Sequence, residues 1–195
     1  MPRTAKINRK TKETEIELEL NLDGEGIGTV GTPLKFLNHM LESFAKHSGF
    51  DLKIVAKGDV EIDDHHLVED LGICLGEGIQ QALGDKRGIE RMGYFIAPMD
   101  ESKATVSVDL SGRPYAVIEL PFSDFDDKKV GDVSKENIEH FLESFAVNGK
   151  FNLNIEVTGK NDHHKVEATF KALAKALKQA VQITGKKIPS TKGVI

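Results

Sequence analysis

The chain has 195 residues, a net charge of −5 and 39% hydrophobic residues, which suits one compact domain or two halves sharing a core. The acidic balance argues against a general nucleic-acid binder, and no apolar run approaches membrane-spanning length. The N-terminus, residues 1–6, lacks the apolar core of a signal peptide, and the single cysteine, Cys74, cannot form an internal disulfide. We therefore expect a cytoplasmic protein.

The first half of the chain predicts a mixture of strands and helices. In chain order, these are a strand over 14–22, a helix over 33–46, a strand over 51–60 and a helix from about 64 to 83. A glycine-containing turn after the first strand predicts a hairpin with the next apolar stretch, and Asp63 or Asp64 is expected to cap the second helix. Three glycines inside that helix, Gly72, Gly76 and Gly78, predict close packing of another element.

The second half repeats this order of patterns. Strands are predicted over 104–110, 116–120 and 151–157, helices over 135–146 and 162–181, and a solvated loop over 121–131. Helices with intervening antiparallel strands predict an α+β fold with helices packed on one face of each sheet.

One motif occurs in both halves. The sequence DHHLVE at residues 64–69 recurs as DHHKVE at 162–167, and the upstream stretch that begins at His39 resembles the one that begins at His140. Two histidines and a carboxylate at a fixed spacing form a set of metal ligands. Their repetition predicts a duplicated half-domain with a paired metal site, the repeats covering about 1–90 and 91–195.

Helix geometry sorts the repeated ligands. His65 and Glu69 are four residues apart and share a helix face, whereas His66 is rotated by about 100° and is poorly placed to share their ion. Each motif therefore more naturally serves two ions. Pseudo-symmetry predicts one group of His65, Glu69, His140 and His164, and a second group of His39, His66, His163 and Glu167. Either group could be completed across a subunit interface.

Structural interpretations of the motif remain open. A histidine pair at a helix start is more often a capping or surface feature, although two matched copies favour a site. A structural zinc site is usually rich in cysteine, and no cysteine belongs to this set. Imidazole with carboxylate suits manganese, iron or zinc.

A second candidate cluster is basic. Arg91 and Arg113 follow the first motif, and the sequence PSTKG stands at 189–193. Arginines, a hydroxyl and a lysine are the groups that bind a phosphate, although each residue taken alone is more often a solvated side chain.

Taken together, the motifs resemble the imidazoleglycerol-phosphate dehydratase family of histidine biosynthesis, in its monofunctional form. The matching segments are 11–14, 36–41, 64–70, 109–115, 163–172 and 189–193, which run through nearly the whole chain. The resemblance implies a duplicated half-domain, each half a four-stranded, mostly antiparallel sheet with helices on one face. It also implies two Mn(II) ions per active site and a homo-oligomer in which trimers assemble into a cage of twenty-four subunits.

The implied activity is the dehydration of D-erythro-imidazoleglycerol phosphate to imidazole acetol phosphate, through a metal-bound imidazolate and a diazafulvene-like intermediate. The implied metal ligands are His39, His65, His66, Glu69, His140, His163, His164 and Glu167. The implied substrate contacts are Glu13, His47, Arg91, Arg113, Lys171, Ser190 and Lys192. Glu13 and Glu167 are the candidates for proton transfer, with their roles as acid and base left open.

The sequence departs from the family pattern at two positions, and two alternative functions remain open. Asn38 replaces an aspartate, which predicts a weaker outer contact to a metal ligand, and Ser43 predicts one lost hydrogen bond to substrate. The alternatives are a dinuclear metal hydrolase acting on a phosphorylated metabolite and an assembly whose ions only join subunits.

Overall fold

The computed structural model describes residues 2–123 and 127–195. Its helices are α1 (Lys35–Ser48), α2 (His65–Leu83), α3 (Lys135–Gly149) and α4 (Asp162–Ala180). Its strands are β1 (Thr4–Lys10), β2 (Thr14–Asn21), β3 (Gly28–Gly31), β4 (Asp51–Gly58), β5 (Met92–Met99), β6 (Ser102–Asp109), β7 (Tyr115–Glu119), β8 (Lys129–Val130), β9 (Val133–Ser134) and β10 (Asn152–Thr158). Every helix and strand predicted from the sequence is present, with ends that differ by a few residues.

The strands form two four-stranded sheets with the same topology. Their orders are β1-β2-β4-β3 and β5-β6-β10-β7, and in each sheet two neighbouring pairs are antiparallel and one pair is parallel. Helices α1 and α2 pack on the first sheet, α3 and α4 on the second. The predicted α+β fold of two similar halves, each a mostly antiparallel sheet with helices on one face, is therefore confirmed.

The two halves meet through their helices. Helix α2 packs against α3 and α1 against α4, so the helices lie between the sheets, and one hydrophobic cluster extends through both halves. Strand β2 shows the predicted alternation of apolar and charged residues. Ile16, Leu18 and Leu20 are buried in the core, and the glutamates between them face outward. None of the helices in the described segments is long and apolar enough to cross a bilayer.

Two local expectations need correction, and a third is settled in favour of one of its two residues. The hairpin predicted after β2 is wrong, because β2 pairs with the preceding β1 and β3 runs parallel to β4. The predicted loop over 121–131 ends in strand β8, which pairs with β9, and its residues 124–126 lie outside the described residues. The start of α2 is capped by Asp63, whose Oδ1 accepts a hydrogen bond from the His65 amide at 2.8 Å, and the side chain of Asp64 makes no capping bond.

The close packing predicted from the glycines of α2 is confirmed. A Cβ atom on Gly72 would lie 2.7 Å from the carbonyl oxygen of Phe141, and one on Gly76 would lie 2.6 Å from that of Phe145. Both oxygens belong to α3, so the two helix backbones touch directly. This contact holds the first turns of α2 against the turn of α3 that carries His140.

Candidate metal centre

The first turns of α2 and one turn of α3 bring two imidazoles and a carboxylate together. His140 Nε2 lies 3.2 Å from one oxygen of Glu69, and His65 Nε2 lies 4.0 Å from the other. The rings of His65 and His140 are stacked, with centroids 4.9 Å apart. One ligand atom from each residue falls within 4.8 Å of the other two. We call His65, Glu69 and His140 the first tripod.

Helices α1 and α4, one from each half, build the matching cluster. His163 Nε2 and His39 Nε2 lie 3.3 Å and 3.8 Å from the same oxygen of Glu167, and these three residues also offer ligand atoms within 4.8 Å of one another. We call them the second tripod. Two neutral imidazoles and one ionised carboxylate are a donor set that suits a divalent transition-metal ion, so the residues of both tripods fit the implied cation.

The other histidine of each pair lies away from both tripods. His66 Nδ1 is 3.0 Å from Asp59 Oδ2, and His164 Nδ1 is 2.8 Å from Glu101 Oε2. These hydrogen bonds raise the pKa of both histidines. The structure thus gathers three of the four ligands predicted for each ion, while His66 and His164 are held by carboxylates elsewhere on the subunit.

A buried polar relay stands behind the first tripod. His65 Nδ1 lies 3.0 Å from Asn137 Oδ1, and Asn137 Nδ2 donates to Asp64 Oδ2 at 3.0 Å. Asp64 also accepts from the amide and hydroxyl of Ser134 at 2.7 and 2.6 Å and from Lys129 Nζ at 3.2 Å. Burial favours the neutral acid, but these hydrogen bonds outweigh it and lower the pKa of Asp64 to about 2.

The second tripod has a lysine beside its carboxylate. Lys171 Nζ lies 2.7 Å from Glu167 Oε1. Burial opposes ionisation of Glu167, but the hydrogen bond and charge of Lys171 prevail and lower its pKa. Burial together with the charge of Lys171 also lowers the pKa of His47. Three of the predicted site residues, His47, Lys171 and Glu167, therefore lie in one neighbourhood.

Glu13 lies in a different neighbourhood. It lines a surface pocket with Asp59, and its charge contributes to the raised pKa of His66, after the larger effect of Asp59. Within one subunit, the two candidates for proton transfer therefore accompany different ligands, Glu13 beside His66 and Glu167 in the second tripod.

The predicted basic cluster gathers around the C-terminal tail. The guanidinium of Arg91 donates to both oxygens of Asp109, at 2.7 and 3.0 Å, and to the carbonyl of Pro189 at 2.8 Å. The end of the chain also approaches the loop of Arg113, because a Cβ on Gly112 would lie 3.1 Å from the carbonyl carbon of Ile195.

The other predicted members of this cluster are exposed to solvent, fully or in part. Arg113 and Lys192 are exposed and Ser190 is half-buried, with its Oγ accepting from the Lys192 amide at 3.2 Å. Arg91 is less exposed, and three of the five N–H groups of its guanidinium donate to Asp109 and Pro189 within the subunit, where they anchor the tail.

Several residues that support the site were not found from the sequence. Asp59 and Glu101 lie outside the repeated motif and became recognisable only when the fold brought them to His66 and His164. Asn137 carried a weak signal, since it stands three residues before His140, where the first repeat has Phe36. Asn38 does not contact a metal ligand. Its side chain accepts from Thr32 Oγ1 at 2.7 Å and donates to the Thr32 carbonyl at 3.1 Å.

Comparison with known proteins identifies the family. The profile of the imidazoleglycerol-phosphate dehydratase family matches residues 32–177. The chain is 53% identical over 185 residues to the imidazoleglycerol-phosphate dehydratase of Methanothermobacter thermautotrophicus, covering 95% of this chain and 94% of the relative. It is also 53% identical over 194 residues to that of Chloroherpeton thalassium, covering 99% and 98%.

Solved structures agree with this relationship. The imidazoleglycerol-phosphate dehydratase of Staphylococcus aureus superimposes with a TM-score of 0.83 at 36% identity, over 93% of this chain and 99% of that one. The Pyrococcus furiosus enzyme, solved in complex with (S)-C348, gives 0.84 at 36% identity, over 97% and 100%. Sequence, fold and the paired tripods thus lead to one conclusion: the chain belongs to the imidazoleglycerol-phosphate dehydratase family, a family of hydro-lyases.

Proposed function

We propose that this protein dehydrates D-erythro-imidazoleglycerol phosphate to imidazole acetol phosphate in histidine biosynthesis. The observation that carries the proposal is the pair of tripods, each with two imidazoles and a carboxylate within 4.8 Å, in a chain 53% identical to relatives named for this reaction.

The cation we propose is Mn(II), two per active site, bound by the tripods together with His66 and His164. When bound, the ions orient the imidazole ring of the substrate and lower the pKa of its ring nitrogen. His66 and His164 are suited to bind the ions, because each donates Nδ1–H to a carboxylate, which leaves Nε2 as the coordinating nitrogen.

The chemistry requires a base as well as a positioned ring. The hydroxyl on the carbon attached to the ring leaves as water, with the proton that the ring nitrogen gives up, while the ring supplies electrons and a diazafulvene-like intermediate forms. A carboxylate then takes the proton from the next carbon, and the ring nitrogen regains a proton. The resulting enol becomes the ketone. Glu167, kept ionised by Lys171, and Glu13, which lies with Asp59 near His66, are the groups we propose for these proton transfers.

We propose that the complete site is formed by more than one copy of the chain. Each tripod lacks a fourth ligand, and the missing imidazoles are held on other surfaces by Asp59 and Glu101. We propose that a neighbouring subunit supplies each fourth ligand within an assembly of trimers, twenty-four subunits in total. The same assembly is expected to bring the groups near the tail to the substrate phosphate, and we propose a cytoplasmic location for it.

Binding of the substrate is assigned to polar groups in two neighbourhoods. Arg113, Ser190 and Lys192 extend from the region of the tail, which Arg91 anchors through Pro189. His47 and Lys171 lie beside the second tripod. The arginine and lysine side chains among them would hold the phosphate dianion and fix the glycerol arm relative to the imidazole ring.

Product analysis tests the proposal directly. Purified protein is incubated with imidazoleglycerol phosphate and Mn(II), and the product mass and free phosphate are measured. Loss of one water without phosphate release is the expected result. Release of phosphate would favour a dinuclear hydrolase, and metal-dependent assembly without any turnover would favour ions that only join subunits. A parallel reaction with chelator gives the metal-free baseline.

A further inference from the structure

The two tripods have the same ligand types but different surroundings. We propose that the first tripod binds Mn(II) more tightly than the second and fills first, because Asn137 strengthens one and Lys171 weakens the other. The inference rests on the proposed function in that it takes both tripods as cation sites.

Asn137 fixes the ring of His65 in its coordinating form. Its Nδ2 donates to the carboxylate of Asp64, so its Oδ1 faces His65 Nδ1 and can only accept. Nδ1 of His65 therefore carries the proton, and the lone pair of Nε2 faces Glu69. Asn137 is 4% exposed and Asp64 is 2% exposed, so the relay is shielded from water. An acceptor behind a ligating imidazole makes the imidazole a stronger ligand and fixes its orientation.

The corresponding position behind the second tripod holds an aromatic ring. Phe36 stands three residues before His39, as Asn137 stands before His140. The centroid of its ring lies 5.1 Å from that of His163, and the two rings are tilted by 59°. This packing restrains the ring of His163, but a phenyl group provides no lone pair for its Nδ1–H. Among the described residues, nothing behind His163 corresponds to the acceptor that Asn137 provides to His65.

Lys171 acts on the second tripod in the opposite direction. Its ammonium lies 2.7 Å from Glu167 Oε1 and withdraws electron density from the carboxylate that faces His39 and His163. The ammonium would also repel a divalent cation bound there. The residue four positions after Glu69 is Ile73, which carries no charge.

Charges behind the two tripods differ in the same sense. Asp162, the counterpart of Asp64 in the repeat, pairs with the ammonium groups of Lys135 and Lys165, each at 2.9 Å. Asp64 pairs with the ammonium of Lys129 at 3.2 Å and directs its remaining hydrogen bonds to neutral groups. The negative charge behind the second tripod is thus more fully compensated.

The proposed fourth ligands do not offset these differences. His66 donates Nδ1–H to Asp59 and His164 donates to Glu101, at 3.0 and 2.8 Å. Each is an imidazole strengthened by a carboxylate, so the fourth ligand contributes similarly to either ion. The inequality comes from the tripods themselves.

The order of filling is tested with the metal-free full-length protein. Mn(II) is added in steps, free Mn(II) is measured by its electron paramagnetic resonance signal, and particle size is recorded throughout. Two binding steps per subunit, separated roughly tenfold or more in affinity, are expected. His65→Ala should retain the weaker step and His163→Ala the tighter one. Two equal steps, or the reverse assignment, would overturn the inference while leaving both metal sites in place.

Two further variants test the causes. Asn137→Leu should weaken the tighter step roughly 10- to 100-fold and leave the weaker one unchanged. Lys171→Met should tighten the weaker step. Asn148→Leu, which removes another asparagine hydrogen bond on α3, and Lys178→Met, which removes an exposed charge from α4, are the matched controls.

The outcomes separate this inference from the proposed function. If Asn137→Leu does not fold, the test rests on Lys171→Met. An unchanged Mn(II) affinity of the weaker step in that variant would refute the effect of the lysine. If the parent protein binds no Mn(II), both the inference and the proposed metal chemistry fail. If two ions bind with unequal affinity but without catalysis, the inference stands and the proposed reaction fails.

Discussion

The Nδ1 atom of His66 lies 3.0 Å from the carboxylate of Asp59, which turns this histidine away from the tripod of its sequence neighbour His65. Two adjacent residues of one helix therefore serve different surfaces of the subunit. The same relationship recurs in the second half, where Glu101 holds His164.

We predict that His66→Ala and His163→Ala reduce the occupancy of the same ion, whereas His65→Ala reduces that of the other. The reason is that His66 is expected to complete the second tripod of a neighbouring subunit. Metal content per subunit is measured by elemental analysis at limiting Mn(II). Combining His65→Ala with either of the other two variants should reduce the occupancy of both ions, whereas combining His66→Ala with His163→Ala should reduce that of one. Equal loss of both ions in every single variant would leave this grouping without support.

Metal removal is expected to abolish both turnover and the large assembly. Each ion is proposed to join residues of distant elements and of two subunits, so its binding free energy contributes to the stability of the contact. Dialysis against a chelator, followed by activity assays and light scattering, measures both effects. Readdition of Mn(II) should restore them together. Survival of the full-size particle and of activity after complete removal of metal would mean that the tripods have another role.

Arg113→Ala should raise KM by roughly one to two powers of ten and leave metal content unchanged. Arg113 is exposed and is proposed to contact the phosphate, and a hydrogen bond to a charged group contributes roughly 1.5–3 kcal/mol. Inorganic phosphate should compete more weakly with substrate in the variant. The matched control is Arg87→Ala, since Arg87 is paired with Asp85 on the surface. Equal phosphate competition in Arg113→Ala and the parent would locate the phosphate site elsewhere.

The relay behind the first tripod should make stability depend on pH. The pKa of Asp64 is lowered from 3.8 to about 2 in the folded protein, so its contribution is fully present above about pH 4 and is lost as the pH falls through about 2. The contribution amounts to about 2 kcal/mol. Chemical unfolding of the metal-free protein between pH 6 and 2 measures it, compared with Asp64→Asn. The difference between parent and variant should shrink over the lower part of this range. A constant difference would show that Asp64 does not carry the effect.

Asn38→Asp is expected to destabilise the protein without changing metal affinity. Asn38 is buried, and its amide donates to the Thr32 carbonyl at 3.1 Å. An aspartate would direct a carboxylate oxygen at that carbonyl, at a cost of roughly 1–3 kcal/mol. Thermal unfolding and Mn(II) titration together test this. Restored or improved metal binding in the variant would instead support the outer contact expected from the sequence.

The fold was largely predictable because the helices and central strands carry strong periodic patterns. Alternation marked β2 and β4, and the repeated motif marked the starts of α2 and α4. The edge strands β1 and β5 were missed because they have few buried positions, and most of the side chains of β5 are exposed or half-buried. The false hairpin arose because short loops favour neighbouring pairing, whereas β3 pairs with β4 across α1.

The site was predictable in its ligands and less so in its surroundings. Spacing on one helix turn was enough to group His65 with Glu69, and the repeat supplied His140. The contact between His66 and Asp59 involves a residue outside the motif, and no periodic pattern in the sequence predicts it. The role of Arg91 likewise depended on tertiary structure, because only the fold brings Asp109 and Pro189 to its guanidinium.

The direct contact between α2 and α3 has a consequence for how the two halves can diverge. The spacing between His140 and the ligands of α2 is set by peptide atoms at Gly72 and Gly76, whose dimensions do not change with the surrounding core. The second repeat has Phe170 and Ala174 at the corresponding positions, both buried. Mutational drift in the core can therefore leave the geometry of the first tripod intact as long as these two glycines persist. At the second tripod, which joins α1 and α4, side chains stand at these positions, so the corresponding geometry depends on volumes that must change together.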